Sequence, residues 1–335
     1  MAKKYQVYGI GNALVDFEIE TNPQELVELE VEKGVMTLIE EDRQEALFQA
    51  FQGKHHSRAC GGSAANTIIG AQSFGSQCFY SCKVADDETG RFYRDDLLAH
   101  GVHSNLSNES LEQGKTGKCL VMITEDADRT MNTFLGITGN IGYEQIDEEA
   151  LINSEYLYVE GYLSSSPVAL EAVLKAKKYA QENGVKTAFS LSDPNMVKFC
   201  RDGLDAIIGD GVDILFCNFD EATLYSGCDN IEDAANALSK LAKTVVITLG
   251  AEGAIIVEQN KTIKIEGNKV EAIDTNGAGD LFAGSFLHAV TQGLTLEQAG
   301  ELASFASAQL VTQFGPRLTE EKFAIVNSFA KKLVV

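Results

Sequence analysis

The hydrophobic positions of this chain change period along its length. Gln6-Val7-Tyr8-Gly9-Ile10-Gly11-Asn12 is a near-continuous apolar run, as expected of a strand buried on both faces and ending in glycine. Leu14-Val15-Asp16-Phe17-Glu18-Ile19-Glu20 alternates instead, which predicts a second strand with one wet face. Val35-Met36-Thr37-Leu38-Ile39 reads as a further short strand, followed by a charged helical pattern up to Phe51. Residues 118–124 and 129–135 alternate on either side of the turn-forming Glu125-Asp126-Ala127-Asp128 and predict a hairpin. A capped helix is predicted from Asp87 to Gly101.

The second half is regular. Residues 156–159, 186–189, 213–217 and 244–249 predict strands, and helical periods lie between them, one opening at Ser166-Pro167 and closing at Gly184. Gly250-Ala251-Glu252-Gly253 turns into a last apolar run, and helices dominate from Ala278 to the end of the chain. Alternating strands and helices imply an α/β fold, a doubly wound and mostly parallel sheet with helices on both faces. The segments at about 14–40 and 102–138 predict a small β-sheet lid inserted in one domain spanning residues 1–335.

Composition narrows the classes. The 335 residues, 44% hydrophobic and 23% charged, suit a globular protein with a large core. With 49 acidic against 27 basic residues the net charge is −22, which argues against a nucleic-acid or acidic-membrane surface, so an anionic substrate has to be met locally. Met1-Ala2-Lys3-Lys4 leads into a strand without an apolar leader, and no apolar run approaches the roughly 18 residues of a spanning helix, so a cytoplasmic protein is expected. The seven cysteines are odd in number, scattered and without zinc-ligand spacing, and read as reduced thiols. His55-His56 falls in a polar stretch and reads as a surface loop.

The strongest candidate for chemistry is Asp274-Thr275-Asn276-Gly277-Ala278-Gly279-Asp280, which opens into an apolar helix. Amides of Gly277, Ala278 and Gly279 at the positive end of a helix dipole can hold a phosphate or a developing anion. Asp280, in the first turn, can take a proton from an attacking hydroxyl. An acidic turn that only complements the dipole has the same spacing, so both readings stay open on this stretch alone.

Further candidates stand at strand ends, where open sheets bind ligands. Asp16 follows the first strand. Cys60-Gly61-Gly62-Ser63-Ala64-Ala65-Asn66 runs a double glycine into a helix of small residues, in which the Asn66 amide can reach a hydroxyl-rich ligand. Asn218 and Glu221 follow the strand ending at Cys217; Glu221 can hold magnesium through water, and helix capping is the rival role for the pair. Two phosphate motifs are incomplete, and the second is rejected. Gly9-x-Gly11-x-x-Leu14 lacks a third glycine, and Glu109 stands where a phosphate loop ending in Gly114-Lys115-Thr116 needs its first.

Gly61-Gly62-x-x-x-Asn66, the Asn218/Glu221 pair and Asp274-Thr275-x-Gly277-Ala278-Gly279-Asp280-x-x-x-Gly284, in that order, resemble the ribokinase-like (PfkB) carbohydrate and nucleoside kinase family over essentially the whole chain. Gly11-Asn12-Ala13-Leu14-Val15-Asp16, Gly61-Gly62-Ser63 and Asn276 look most like its adenosine kinases. The resemblance implies that Asp280 is the general base and that Gly277, Ala278 and Gly279 form the anion hole. It implies that Asn12, Asp16, Gly61, Gly62 and Asn66 surround the ribose, and that Arg129 approaches the phosphates. Asn218 and Glu221 would organise magnesium and the triphosphate of ATP, and Thr248, Gly250 and Gly253 would line the nucleotide cleft. Asp274, Thr275 and backbone near Gly315 are implied candidates for a monovalent cation, potassium. The chain departs from many relatives at Ser190-Leu191-Ser192-Asp193-Pro194, which has Asp where they carry Asn.

The implied activity is magnesium-dependent transfer of a phosphoryl group from ATP to the 5′-hydroxyl of adenosine. A PfkB-type sugar kinase acting on ribose or fructose and a non-catalytic nucleoside sensor are the alternatives. An apolar slot for a base separates the first two, with Phe17, Leu38, Leu135 and Tyr162 as candidates. Monomer and homodimer both remain open.

Overall fold

The computed structural model describes residues 3–107, 111–126, 129–259 and 261–333, with the side chains of 55–57 left out. Its strands are β1 (Tyr5–Ile10), β2 (Leu14–Glu20), β3 (Met36–Leu38), β4 (His55–Gly61), β5 (Cys78–Ser81), β6 (His103–Ser104), β7 (Gly117–Ile123), β8 (Arg129–Phe134), β9 (Ser154–Glu160), β10 (Lys186–Ser190), β11 (Val212–Asn218), β12 (Ala242–Thr248), β13 (Gly253–Glu258) and β14 (Lys261–Glu266). Among the described residues the larger sheet has nine strands in the order β14-β13-β12-β11-β10-β9-β1-β5-β6. The ladders from β12 to β6 are parallel, while β12-β13 and β13-β14 are antiparallel.

Because successive strand residues point to opposite faces, this sheet divides its apolar residues between two cores. Val7, Tyr156, Tyr158, Phe216 and Val246 pack with helices Ser63–Ser73, Ala278–Thr291 and Leu296–Leu310. Their neighbours Tyr8, Leu157, Val159, Leu215 and Val245 pack with helices Pro167–Glu182, Arg201–Ile208 and Ile231–Leu238. The doubly wound architecture read from the sequence is therefore what the chain adopts.

The second sheet has five strands among the described residues, in the order β3-β8-β7-β2-β4. Its outer face is covered by a small core of Ile19, Leu26, Leu47, Phe51, Leu120 and Met122. The β7-β8 hairpin forms as expected from 118–124 and 129–135, and its residues 127 and 128 lie outside the described set. One boundary differs from expectation. Residues 55–61 form β4, not a polar loop, because the β2 backbone offers them an antiparallel ladder from Leu14↔Gly61 onward. They join a sheet that the sequence confined to about 14–40 and 102–138, while His103–Ser104 of that second range pairs with β5 in the large sheet. β5 and β14 also escaped the pattern, β5 because four residues between polar neighbours are too few to display a period. All seven cysteines are unbridged. No helix among the described residues is long and apolar enough to cross a membrane.

Candidate active site

The carboxyl ends of β1, β9, β10, β11 and β12 open onto a cavity of about 580 Å³ whose opposite wall is the inner face of the second sheet. That wall follows from strand register. Asp16 pairs with Cys119, Cys119 with Thr133 and Thr133 with Leu38, so one row of side chains crosses four strands, and Met131 beside Met36 makes the next row. All six line the cavity.

The floor is built where two helices begin. Gly62, at φ 96°, precedes helix Ser63–Ser73, and a Cβ on it would stand 2.2 Å from the Asn12 carbonyl oxygen. Only glycine lets the β1-β2 turn come this close. Gly277, at φ 72°, precedes helix Ala278–Thr291. The two helices pack so tightly that a Cβ on Gly284 would lie 2.3 Å from the Thr67 carbonyl oxygen. This approach carries Asp280 onto the other helix. Ser63 Oγ donates to Asp280 Oδ1 at 2.6 Å, and Asn66 Nδ2 donates to Oδ2 at 3.1 Å. Gly277, Ala278 and Gly279 all line the cavity, and of these the Ala278 amide, expected in the anion hole, already donates to Thr275 O at 3.3 Å.

Several acids share this space. Burial raises the Asp280 carboxyl above its ordinary range, and the Ser63 and Asn66 donors oppose the rise. Asp16 is pushed up to about 7, by burial first and by the Glu18 charge second. Glu160 is also pushed up to about 7 by burial, although Asn12 N–H donates to its Oε1 at 2.8 Å and Ala64 N–H to its Oε2 at 2.7 Å. Burial lifts Glu221 to about 7 as well.

Asn218 and Glu221 form a capping box on helix Phe219–Ser226, and both also line the cavity. Glu221 accepts one hydrogen bond on each oxygen, from Asn218 N–H at 3.1 Å and from Asn218 Nδ2 at 2.7 Å. A carboxylate offers about four acceptor positions, so capacity remains. Among the described residues no group of three or more His, Cys, Asp or Glu could hold a metal ion. Magnesium held by one carboxylate through water fits this arrangement.

Asn12, Asp16, Gly62, Asn66, Arg129, Asn218, Glu221, Thr248, Thr275 and residues 277–280 all line the one cavity. Other candidates stand elsewhere. Gly61 lies behind Asp16, whose carboxylate approaches to 2.3 Å from where a Gly61 Cβ would be, and its carbonyl accepts from Tyr93 OH at 3.2 Å. Gly250 and Gly253, at φ 58° and 99°, make the turn between β12 and β13 and are not among the lining residues. Phe17 faces away and meets Phe48 edge-on at 4.9 Å between ring centroids. Leu38, Leu135 and Tyr162 do line the cavity, with Met36 and Met131.

Asp274 is 3% exposed and sits beneath its loop. Its Oδ1 accepts from Asn276 N–H at 2.8 Å and its Oδ2 from Gly315 N–H at 2.7 Å. It is also ion-paired with Arg129, whose Nη1 stands 3.6 Å from Glu18 Oε1. Arg129, expected at the phosphates, is thus directed at two carboxylates.

Two residues in this constellation lie outside the sequence reading of the site. Ser63 looks like any small residue at a helix start. Glu160 ends an apolar strand, and a lone acid at the carboxyl edge of a buried strand is the signal that points to it.

Comparison with known proteins agrees with the architecture. The structure superposes on the adenosine kinase of Sinorhizobium meliloti with a TM-score of 0.91, at 34% identity over 98% of this chain and 100% of that one. The chain is 26% identical to the adenosine kinase of Saccharomyces cerevisiae, over 94% of its own length and 97% of the relative's. It is 27% identical to the ribokinase of Haemophilus influenzae, over 80% and 86% respectively. It is a kinase most like adenosine kinases, and since residues 36–322 match the pfkB family of carbohydrate kinases, the chain belongs to that family.

Proposed function

We propose that this protein transfers the terminal phosphoryl group of ATP to the 5′-hydroxyl of a nucleoside, adenosine, yielding ADP and AMP. The observation that carries the reading is the Asp280 carboxylate, which lines the cavity in the first turn of a helix with its two oxygens held by Ser63 and Asn66. The hydroxyl oxygen bonds to the γ-phosphorus as the bond from that phosphorus to the bridging oxygen breaks; the proton passes to Asp280 and ADP departs. A carboxyl raised towards working pH is a better base for that step.

The backbone of Gly277 and Gly279 and the positive helix end offset charge on the transferred group. Asn12, Asp16 and Asn66 hold the ribose hydroxyls, and Gly62 allows the close approach. Thr248, which lines the cavity, contacts the nucleotide in this reading. Glu221, beside Asn218, would hold magnesium through water, and the ion would supply neutralisation of the triphosphate. The second sheet acts as a lid on a single domain and excludes water, the competing acceptor.

The apolar side chains Met36, Leu38, Met131, Leu135 and Tyr162 that line the cavity support a nucleoside, because a purine needs apolar surface and a free sugar does not. The second reading is a sugar acceptor, since Asn12, Asp16 and Asn66 line the cavity and would hold the hydroxyls of a free sugar as well as those of a ribose. ADP release from ATP, measured with adenosine, inosine, guanosine, ribose and fructose, decides between them. Turnover with adenosine is expected. Turnover with the sugars alone overturns the nucleoside reading, and adenosine binding without ADP release makes the protein a sensor.

A further inference from the structure

A buried carboxylate, beside backbone bonds to Val311, anchors the loop that carries the proposed anion hole. Asp274 orders the Asn276 amide with one oxygen and the Gly315 amide with the other, so its position sets the backbone on both sides of the Gly277 turn. A buried carboxylate holding two segments needs a counter-ion, because an unpaired charge in such a place is strongly destabilising. Resemblance to the family suggests potassium. The donor set here does not fit it.

The Asp274 side chain is 1% exposed, that of its ion-pair partner Arg129 is 9% exposed, and Glu18 stands 3.6 Å from the other side of the guanidinium. Potassium at Asp274 would share the carboxylate with a like charge or push the arginine out between two acids that hold it. The guanidinium is charged at any working pH and presents several donors in a fixed fork, whereas a bound alkali ion exchanges with solvent.

We infer that Arg129 takes the place of the monovalent cation: the guanidinium is the permanent counter-ion of Asp274, the second sheet thereby holds the 274–280 loop in shape, and the protein works without potassium. Arg129 is in this respect a positioning residue that acts through Asp274. The consequence for turnover rests on the proposed phosphoryl transfer; the ion pair itself does not.

The test compares the full-length protein in potassium chloride and in choline chloride at matched ionic strength, reading the thermal unfolding midpoint and the turnover of ATP with adenosine. Both quantities are expected to be the same in the two salts for the wild-type protein. Arg129→Ala leaves Asp274 without its counter-ion, so its midpoint is expected to fall and to shift upward in potassium, since an ion that binds only the folded state stabilises by mass action. A wild-type midpoint or turnover that rises in potassium overturns the inference, as does an Arg129→Ala protein with identical midpoints in both salts. If that variant does not fold, the wild-type comparison decides alone. If adenosine is not phosphorylated, the kinase reading fails while the midpoints still test the ion pair.

Discussion

Ser63 and Asp280 meet across the junction of two helix starts, with 2.6 Å between Oγ and Oδ1. The hydroxyl is a donor to the ionised carboxylate, so it favours the form that can accept a proton. Removing it by Ser63→Ala is expected to raise the Asp280 pKa further and to move the acid limb of kcat/KM to higher pH, with activity above the limb largely retained. Ser63→Thr keeps a hydroxyl and is expected to restore the wild-type limb. A pH profile unchanged in Ser63→Ala would remove this residue from the account.

Replacing Asp280 itself has a larger effect. Asp280→Asn is expected to lower kcat by roughly 10²–10⁴-fold, the span of a lost general base, and to leave adenosine affinity nearly unchanged. Steady-state kinetics beside equilibrium binding checks the split, and an undiminished kcat ends the assignment.

The raised acids make stability depend on pH. Glu160 rises from an ordinary 4.5 to about 7 on folding, so between those values the folded protein holds a proton that the unfolded chain releases. Stability contributed through this group therefore falls as pH increases across that window. Glu160→Gln is expected to flatten the decline. Denaturant midpoints collected at several pH values for both proteins test it, and parallel curves would exclude Glu160 as a source.

Gly284 is where the two site-bearing helices touch. Gly284→Ala forces a methyl group towards the Thr67 carbonyl, 2.3 Å away in the present packing. Overpacking of this kind costs roughly 1–3 kcal/mol. Because the helices have to part, Asp280 is expected to move off Ser63 and Asn66, so kcat should fall together with the denaturant midpoint.

The Asn218–Glu221 cap separates folding from metal use. Asn218→Ala is expected to cost about 1 kcal/mol of stability, as loss of a helix cap does. Glu221→Gln keeps the side chain's shape and removes its charge, and is expected to raise the magnesium concentration needed for half-maximal turnover. An unaltered magnesium titration would place the ion elsewhere.

Much of this was legible in the chain. The β1 run, the alternating β2, the hairpin and the 274–280 loop all declare themselves through neighbours a few residues apart, and each forms where the pattern places it. Gly62 and Gly277 are legible for the same reason, since their positive φ belongs to local turns. β4 was not, because an edge strand's polar residues read as a loop until β2 pairs with them. Gly250 and Gly253 show the reverse: their positive φ serves a tight turn beside the cavity, and nothing local separates that need from nucleotide binding.

The sequence by itself determined the periods, the turns and the presence of an acid beside a glycine-rich helix start, all short-range properties. Only the tertiary structure decided which charges meet. Ser63 reaches Asp280 across 217 positions and Arg129 reaches Asp274 across 145, and no local pattern encodes either pair. Strand order and the close packing at Gly284 bring them together, and those same contacts seat Arg129, expected at the phosphates, against a buried aspartate.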